Sequence, residues 1–192
     1  MSVDRGRLKV TFSTVILDRD GVVNHDSEAF IKSPAEWQPL PGSLEAIARL
    51  KHTGLRVVIA SNQSGLGRGL FDYDDLFAIH DKMARQLGEL GIQLDGVFFC
   101  PHTTEDQCRC RKPRPGLLED ILGRWNLRPS DCVMIGDSSR DIEAAQALGV
   151  HAIGVRSGKP IDPARSCWTA VPVFDDLSAA VDCLLSEAAL HG

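Results

Sequence analysis

Short apolar runs alternate with longer amphipathic segments along this chain. Five apolar runs have the length of buried strands and predict strands at 15–17, 55–60, 96–100, 132–135 and 151–155. A further short strand is predicted over 171–174 and a closing helix over 176–189. Between the strands, apolar residues at helical spacing predict helices over 43–53, 72–90 and 115–125, and a fourth that ends at 147.

This alternation of strands and helices favours an α/β fold, a Rossmann-like open parallel sheet with helices on both faces. No clear linker or internal repeat divides the 192 residues, so residues 1–192 are expected to form a single domain. The short interval between Asp18 and Ser61 leaves no room for a large cap domain. Residues 1–13 carry little periodicity and are predicted to be a tail or an edge segment.

Local signals add detail to this outline. Ser43 is the predicted N-cap of the first helix, which Gly54 ends. Residues 25–41 form a long, proline-bearing connection that Trp37 is expected to pin down. The region around Arg68 is predicted to be a flexible loop because it is framed by three glycines, Gly65, Gly67 and Gly69.

Composition and charge limit the partners. The formal net charge is -5 and Lys and Arg form no stripe, which argues against nucleic acid as the main partner. No apolar run approaches the ~18 residues of a membrane span, and no secretory signal is visible at the N-terminus. We therefore expect a cytoplasmic protein, a monomer, that acts on a small molecule rather than on a membrane.

Polar residues follow the predicted strands at the points where the strands end. Asp18 and Asp20 come directly after the first apolar run, and Gly21 lets the chain turn away. The ends of the second and fourth strands supply Ser61 with Asn62 and Asp137 with Asp141, and Arg111 with Lys112 follow the third strand. Ligands of open α/β sheets bind beyond the carboxyl ends of the strands, so we expect these four clusters to converge.

The converging side chains indicate a reaction class. Several carboxylates packed together repel one another unless a cation lies among them, and hard oxygen ligands favour magnesium over zinc. A lysine, an arginine and a hydroxyl provide the positive charge and the donors that a phosphoryl transition state needs. Phosphoryl transfer is therefore predicted. The chain has no G-x-x-x-x-G-K-[ST] loop and no G-x-G-x-x-G after a strand, so a nucleotide-dependent kinase is not supported.

A second cluster predicts another metal. Cys100, His102, Cys108 and Cys110 offer three thiolates and one imidazole, the ligand set of a closed structural zinc site. Buried free cysteines and disulfides are the alternatives, and the tight spacing favours zinc. Because Cys110 immediately precedes Arg111, zinc binding would fix the stem of the loop that presents the adjacent lysine.

Together these motifs resemble the haloacid dehalogenase superfamily of aspartate-nucleophile phosphatases over residues 15–160. The four motifs of that superfamily match, in order, Asp18-Arg19-Asp20-Gly21, Ser61, Lys112, and Gly136-Asp137 with Asp141. The stretches DRDGVVN, SNQSGLGRG, CPH, CRCRKP and RSGKP are similar to its histidinol-phosphatase-like branch, and within it to the D-glycero-D-manno-heptose 1,7-bisphosphate phosphatases. That branch also has a zinc-binding loop at this place, and the segment from Cys100 to Cys110, here called the zinc loop, resembles it.

The resemblance implies a role for each matching residue. Asp18 would be the nucleophile and Asp20 the general acid and base, while Ser61 and Lys112 hold the transferring phosphoryl group. Magnesium would be held by Asp18, Asp20 through its main-chain carbonyl, and Asp137. Asp141 would orient its neighbours or cap a helix. The expected substrate contacts, with Arg111 suited to a second phosphate, are Asp26, Asn62, Gln63, Ser64 and Arg111.

Three functions follow from these expectations. The first is removal of the 7-phosphate of heptose 1,7-bisphosphate, a step toward ADP- or GDP-heptose for lipopolysaccharide or another surface glycan. The alternative is a histidinol-phosphate phosphatase, in which Asp26 and Glu28 would supply acidic neighbours for the substrate amine. A phosphate- or partner-binding module without activity is a third reading, and retention of Asp18, Asp20 and Lys112 argues against it.

Overall fold

The structure, a computed structural model, describes residues 12–169 and 171–189, so most of the predicted tail at 1–13 lies outside the described residues. Its centre is a parallel sheet of six strands in the order β3-β2-β1-β4-β5-β6. The strands are β1 (Thr14–Leu17), β2 (Arg56–Asn62), β3 (Gly96–Cys100), β4 (Cys132–Gly136), β5 (His151–Val155) and β6 (Val173–Phe174). The α/β fold expected from the sequence is confirmed.

Six α-helices in the described part of the chain connect and flank the strands, on both faces of the sheet as predicted. They are α1 (Ser43–His52), α2 (Ser64–Gly67), α3 (Tyr73–Glu89), α4 (Gly116–Arg124), α5 (Ser139–Gln146) and α6 (Leu177–Ala189). Side chains from α1, α3 and α6 share one hydrophobic core, and those from α4 and α5 share a second. None of the helices among the described residues has both the length and the apolar composition needed to cross a bilayer.

The two cores arise from the two-residue period of the strands. In β1, Val15 and Leu17 are fully buried in the first core, while Ile16 is fully buried in the second. In β2, Val57 faces the first core and Val58 the second. Because the central strands are covered on both faces, they read as continuous apolar runs rather than as alternating ones.

Two local predictions were wrong. Gly42, with φ 74°, is the N-cap of α1, and Ser43 is its first residue; the Ser43 hydroxyl donates to the Val23 carbonyl at 2.6 Å instead of capping. The glycine-framed segment is not a loop throughout, because 64–67 form the short helix α2. Gly65 packs so closely on Phe71 that a Cβ there would lie 2.2 Å from the ring, so this glycine serves packing rather than flexibility.

The long connection between β1 and α1 is held in place from α3. Trp37 is fully buried, as predicted. The Lys82 ammonium of α3 lies 5.7 Å from the centre of the Trp37 ring and donates to the carbonyls of Pro34 and Trp37, both at 2.7 Å. The buried Trp37 ring and the Lys82 ammonium together therefore fix this loop against α3.

Candidate active site

A cavity of about 300 Å³ opens where β1, β2 and β4 end. It brings together the residues that the sequence predicted for phosphoryl transfer and for substrate contact. From those predictions its wall contains Asp18, Asp20, Asp26, Ser61, Asn62, Gln63, Ser64, Arg111, Lys112, Asp137 and Asp141. The convergence follows from the parallel register, which aligns the carboxyl ends of these strands along one edge of the sheet.

Lys112 lies at the floor of this cavity, with 1% of its surface exposed. Its ammonium is 3.1 Å from a carboxylate oxygen of Asp18 and 2.6 Å from one of Asp141, and it donates to the Ala60 carbonyl at 2.5 Å. Burial alone would lower the pKa of Lys112, but the carboxylates of Asp141 and Asp18 outweigh it and raise that pKa. The side chain is therefore held as a cation beside Asp18.

Asn62 fixes the backbone that carries this lysine. Its Nδ2 donates to the Lys112 carbonyl at 3.0 Å, and its Oδ1 accepts from the Lys112 N–H at 3.1 Å. Both polar atoms of the Asn62 amide are thus bonded to the main chain of Lys112, at the C-terminal end of the zinc loop. This arrangement gives Asn62 a positioning contact, while substrate contact by the same residue stays a prediction.

Asp20 is held by a buried network that the sequence did not indicate. Arg19, which is fully buried, donates from Nε and Nη2 to the two carboxylate oxygens of Asp20, each at 3.0 Å. Asn24 and Gln63 add hydrogen bonds at 2.8 and 2.9 Å. Burial would raise the pKa of Asp20, yet Arg19, Asn24 and Gln63 outweigh it and hold that pKa below its usual value.

Gln63 joins this network to the predicted phosphoryl site. Its Nε2 is 2.6 Å from the Ser61 hydroxyl and 2.9 Å from Asp20, while its Oε1 accepts from Arg19 at 3.1 Å. Three residues of the site therefore depend on one amide. Substrate contact by Gln63 and Ser64, which are both buried, is not tested by these hydrogen bonds.

Asp18, Asp137 and Asp141 form a compact group of carboxylates, with one oxygen of each within 4.8 Å of the others. Burial first, and then the carboxylates of Asp141 and Asp137, raise the pKa of Asp18 to about 8 in spite of Lys112. Burial and Asp141 likewise raise the pKa of Asp137 to about 6. Such mutual repulsion among hard oxygen ligands fits a site built for a divalent cation such as magnesium.

Asp141 caps the start of α5, which is one of the two roles expected for it from the sequence. It is fully buried and pairs with Lys112, and its other oxygen accepts from the Ser138 hydroxyl at 2.6 Å and the Ser138 N–H at 3.1 Å. It thus joins the start of α5 to the buried lysine. The carboxylate of Asp20 is turned toward Arg19, so any part it takes in holding a cation rests with its main-chain carbonyl, as the resemblance implied.

The four predicted zinc ligands also come together. The sulfur atoms of Cys100, Cys108 and Cys110 are 3.3 to 3.6 Å apart, and Nδ1 of His102 is 3.6 Å from the Cys100 sulfur and 3.3 Å from the Cys110 sulfur. A tetrahedron with Zn–S bonds of about 2.3 Å has edges of roughly 3.8 Å, close to these distances. Burial raises the pKa of the Cys100 thiol, so a thiolate there requires a cation.

Basic side chains form the outer wall of the cavity. Arg68, Arg111, Arg140 and Lys159 line it, and the sequence had singled out only Arg111 among them for substrate. Burial lowers the pKa of Arg111, and the nearby cations of Arg140 and Arg68 lower it further. The Arg111 guanidinium thus lies close enough to two other cations to be repelled by them, an arrangement suited to a bound anion.

Arg19 and Lys159 were not predicted as site residues, and the sequence indicates their place only weakly. Arg19 lies between two site aspartates, where the two-residue period of an extended chain directs it away from the cavity and into the protein. Lys159 lies in the RSGKP stretch used for the resemblance, yet nothing in that stretch indicates its contacts with Asp26 and Asp137. These contacts depend on the tertiary packing of loops that are distant in sequence.

Comparison with known proteins places this chain in a family. Residues 6–149 match the haloacid dehalogenase-like hydrolases. The D-glycero-beta-D-manno-heptose-1,7-bisphosphate 7-phosphatase of Bordetella bronchiseptica is 48% identical over 176 residues, which cover 91% of this chain and 98% of that protein. The enzyme of the same name from Pseudomonas aeruginosa is 41% identical over 177 residues, covering 90% and 98%.

Solved structures agree with this relationship. The crystal structure of D,D-heptose 1,7-bisphosphate phosphatase from B. bronchiseptica, complexed with magnesium and phosphate, has a TM-score of 0.85 and 46% identity. The comparison covers 92% of this chain and 99% of that one. The corresponding phosphatase from Burkholderia thailandensis has a TM-score of 0.72 and 42% identity. The chain therefore belongs to the haloacid dehalogenase-like hydrolases and is a phosphoric monoester hydrolase.

Proposed function

We propose that this enzyme removes the 7-phosphate of D-glycero-β-D-manno-heptose 1,7-bisphosphate through an aspartyl-phosphate intermediate on Asp18. The main support is the 48% identity to a relative of that name over 91% of the chain. The cavity contents agree with it, because a nucleophile, an acid/base group and a buried lysine line one wall. The product would serve the synthesis of nucleotide-activated heptose for a surface glycan.

The first half-reaction depends on Asp18 and Lys112. A carboxylate oxygen of Asp18 attacks phosphorus from the side opposite the leaving sugar oxygen. The bond from phosphorus to the sugar oxygen breaks, and an aspartyl-phosphate forms. The Lys112 ammonium, 3.1 Å from Asp18, lies where it can stabilise the charge on the equatorial oxygens of the phosphoryl group. The Ser61 hydroxyl, oriented by Gln63, donates to another of these oxygens.

Asp20 carries the proton in both half-reactions. It protonates the departing sugar oxygen and then takes a proton from the water that hydrolyses the aspartyl-phosphate. Its four hydrogen bonds favour the carboxylate, the form needed in the second step. An anionic phosphate beside Asp20 disfavours that charge and so favours the protonated form needed in the first step.

The two metals have different tasks in this proposal. Magnesium, held by Asp18, Asp137 and the main-chain carbonyl of Asp20, would offset the repulsion between the nucleophile and an anionic phosphate. The zinc held by Cys100, His102, Cys108 and Cys110 would be structural, since four protein ligands complete its coordination. The zinc loop ends next to Lys112, and Arg111 braces it by donating to the His102 carbonyl at 3.2 Å.

The charges of the cavity favour a bisphosphate over histidinol phosphate. Of the two acidic neighbours expected for a substrate amine, Asp26 is already paired with the ammonium of Lys159, and Glu28, which also lines the cavity, is the other. A second phosphate, by contrast, would meet the cations of Arg68, Arg111 and Arg140. These observations support the heptose bisphosphate as substrate and make histidinol phosphate the weaker candidate.

Phosphate release from the two substrates tests this choice. The protein, loaded with magnesium, is given heptose β-1,7-bisphosphate or histidinol phosphate, and the sugar product is identified by ³¹P NMR. We expect a higher kcat/KM for the bisphosphate and heptose 1-phosphate as the product. A higher kcat/KM for histidinol phosphate, or loss of the 1-phosphate first, would overturn the proposed substrate or position of attack.

A further inference from the structure

The segment 157–159, here called the arch, follows β5 and touches three separate parts of the active site. The Ser157 hydroxyl donates to the Gly21 carbonyl at 2.7 Å, which joins the arch to the nucleophile loop. The Lys159 N–H donates to Asp137, and the Lys159 ammonium pairs with Asp26. None of the proposed chemical steps uses the arch, yet it contacts groups at both ends of the cavity.

The contact with Asp137 is close and buried. The Lys159 N–H reaches Oδ2 of Asp137 at 2.7 Å, and 2% of the Asp137 surface is exposed. A Cβ on Gly158 would lie 2.1 Å from the same oxygen, and a Cβ on Gly21 would lie 2.4 Å from it. The Asp137 carboxylate therefore fits between two glycine backbones and has little freedom to turn.

The contact with Asp26 lies at the other end of the arch. Asp26 belongs to the 25–41 connection, whose far part is anchored by Lys82. The Lys159 side chain is 45% exposed and that of Asp26 26%, so the pair adds little to the stability of the fold. Its consequence is geometric, because it fixes where the near part of this loop lies against the cavity wall.

We propose that Lys159 is a positioning residue that holds Asp26 and its loop at a set distance from the phosphoryl-transfer group at Asp137. The main-chain N–H of Lys159 fixes one end and its ammonium fixes the other. This inference rests on the proposed function, since the loop at Asp26 faces the part of the substrate beyond the reacting phosphate. Substrates long enough to reach that loop depend on the pair, and short ones do not.

Substitution of the side chain separates the two ends of the arch. Lys159→Met keeps the N–H bond to Asp137 and loses the pair with Asp26, Asp26→Asn removes the other partner, and Lys159→Arg preserves the pair. Arg49→Ala is the control, because it removes an equally exposed ion pair, with Asp182, that lies outside the cavity. Heptose bisphosphate and p-nitrophenyl phosphate serve as the long and short substrates.

We expect Lys159→Met and Asp26→Asn each to lower kcat/KM for the bisphosphate about tenfold, mainly through KM, and the double variant to lose no more than either alone. We expect Lys159→Arg to keep most of the wild-type kcat/KM and Arg49→Ala to keep all of it. Turnover of p-nitrophenyl phosphate should change less than about twofold in each variant. Equal losses on both substrates, or additive losses in the double variant, would overturn the proposal. So would a gain in Asp26→Asn, which indicates that Lys159 binds the substrate directly.

Magnesium binding tests the Asp137 end without any substrate. The φ of Gly158 lies outside the left-handed region, so alanine suits its backbone. The new Cβ would be opposed by Asp137 and by the Cα of Gly21, which would lie 2.7 Å from it on the other side of the same carboxylate pocket. We expect Gly158→Ala to weaken magnesium binding about 10- to 100-fold by calorimetry, while Gly123→Ala on α4 has no effect. Unchanged binding in Gly158→Ala would overturn this end of the proposal. If the wild type does not hydrolyse the bisphosphate, the proposed function is wrong. The magnesium measurement would still show whether the arch positions Asp137, because it needs no substrate.

Discussion

Asn62 and Lys112 share two hydrogen bonds, at 3.0 and 3.1 Å, between the side-chain amide of one and the main chain of the other. The two residues are far apart in sequence, at the end of β2 and at the end of the zinc loop. The ammonium of Lys112 reaches Asp18 from this anchored backbone. The position of the cation beside the nucleophile thus depends on an amide that need not touch the substrate.

Asn62→Ala removes both hydrogen bonds to the Lys112 main chain. The Lys112 ammonium stays in the cavity, but its position beside Asp18 is held less firmly. We expect kcat to fall roughly 10- to 100-fold, because small displacements of a positioned group are costly in catalysis. Steady-state kinetics on the preferred substrate measures this. Asn126→Gly is the matched control, since Asn126 is exposed, lies outside the cavity and has a φ of 50° that suits glycine. Equal kcat values for wild type and Asn62→Ala would contradict the positioning role.

Zinc removal should loosen the loop that ends at Lys112. Cys108→Ser takes one of the four ligand atoms from the cluster, and we expect loss of bound zinc, a lower melting temperature and a turnover at least about tenfold lower. Metal analysis, thermal unfolding and kinetics are measured on the same sample. Cys183→Ser, on α6, is the control and should keep its zinc. Full turnover in protein shown to contain no zinc would exclude this coupling.

Gly136 tests the packing beneath the carboxylate group. A Cβ at this position would lie 2.3 Å from the Cβ of Asp141, which has no room to move because it is buried. We expect Gly136→Ala to lower the free energy of unfolding by about 1–3 kcal/mol. Gly123→Ala has open space around its new methyl group and should raise it by about 0.5–1 kcal/mol. Urea denaturation compares the two; an equal effect would refute the packing argument.

His80 on α3 predicts how stability depends on pH. Burial, with a smaller contribution from the cation of Arg19, lowers the pKa of His80 to about 4 from its ordinary 6.5. Between these values the unfolded chain binds a proton that the folded protein does not, so the free energy of unfolding falls as the pH drops from 6.5 to 4. Because the ring is partly exposed, we expect a loss of about 2 kcal/mol.

The variant His80→Gln should lose that part of the pH dependence, and His52→Gln, at the exposed end of α1, should keep it. Denaturant unfolding at a series of pH values measures the slope for each. An identical slope in His80→Gln and in the wild type would show that other groups cause the acid sensitivity.

Much of this fold was predictable because its signals are local. The continuous apolar run of β1 indicated a strand buried on both faces, and the polar residues after the strands indicated the edge where the site lies. The capping of α1 was wrong because a serine can also bond outside its own helix, as Ser43 does with Val23. The helix at 64–67 was missed because Gly65 and Gly67 have poor helix propensity and are retained for close packing instead.

The site was predictable as a set of residues but not as a network. Asp18, Asp20 and Lys112 are the residue types that phosphoryl transfer needs, so the sequence identifies them. What holds them is set by tertiary contacts between distant segments, such as Arg19 with Gln63. Periodicity indicates which way a side chain points, but it cannot indicate which loop it meets.

Trapping of the phosphorylated enzyme tests the central role of Asp18 most directly. Asp20→Asn lacks both the acid for the first step and the base for the second, so it is given p-nitrophenyl phosphate, whose leaving group departs without a proton. After mixing with this substrate and magnesium and quenching in acid, the protein should carry phosphate, because hydrolysis of the intermediate is slowed. We predict that mass spectrometry of the peptides places this phosphate on Asp18, and that Asp18→Asn carries none and is inactive. Phosphate on another residue, or full turnover by Asp18→Asn, would contradict this mechanism.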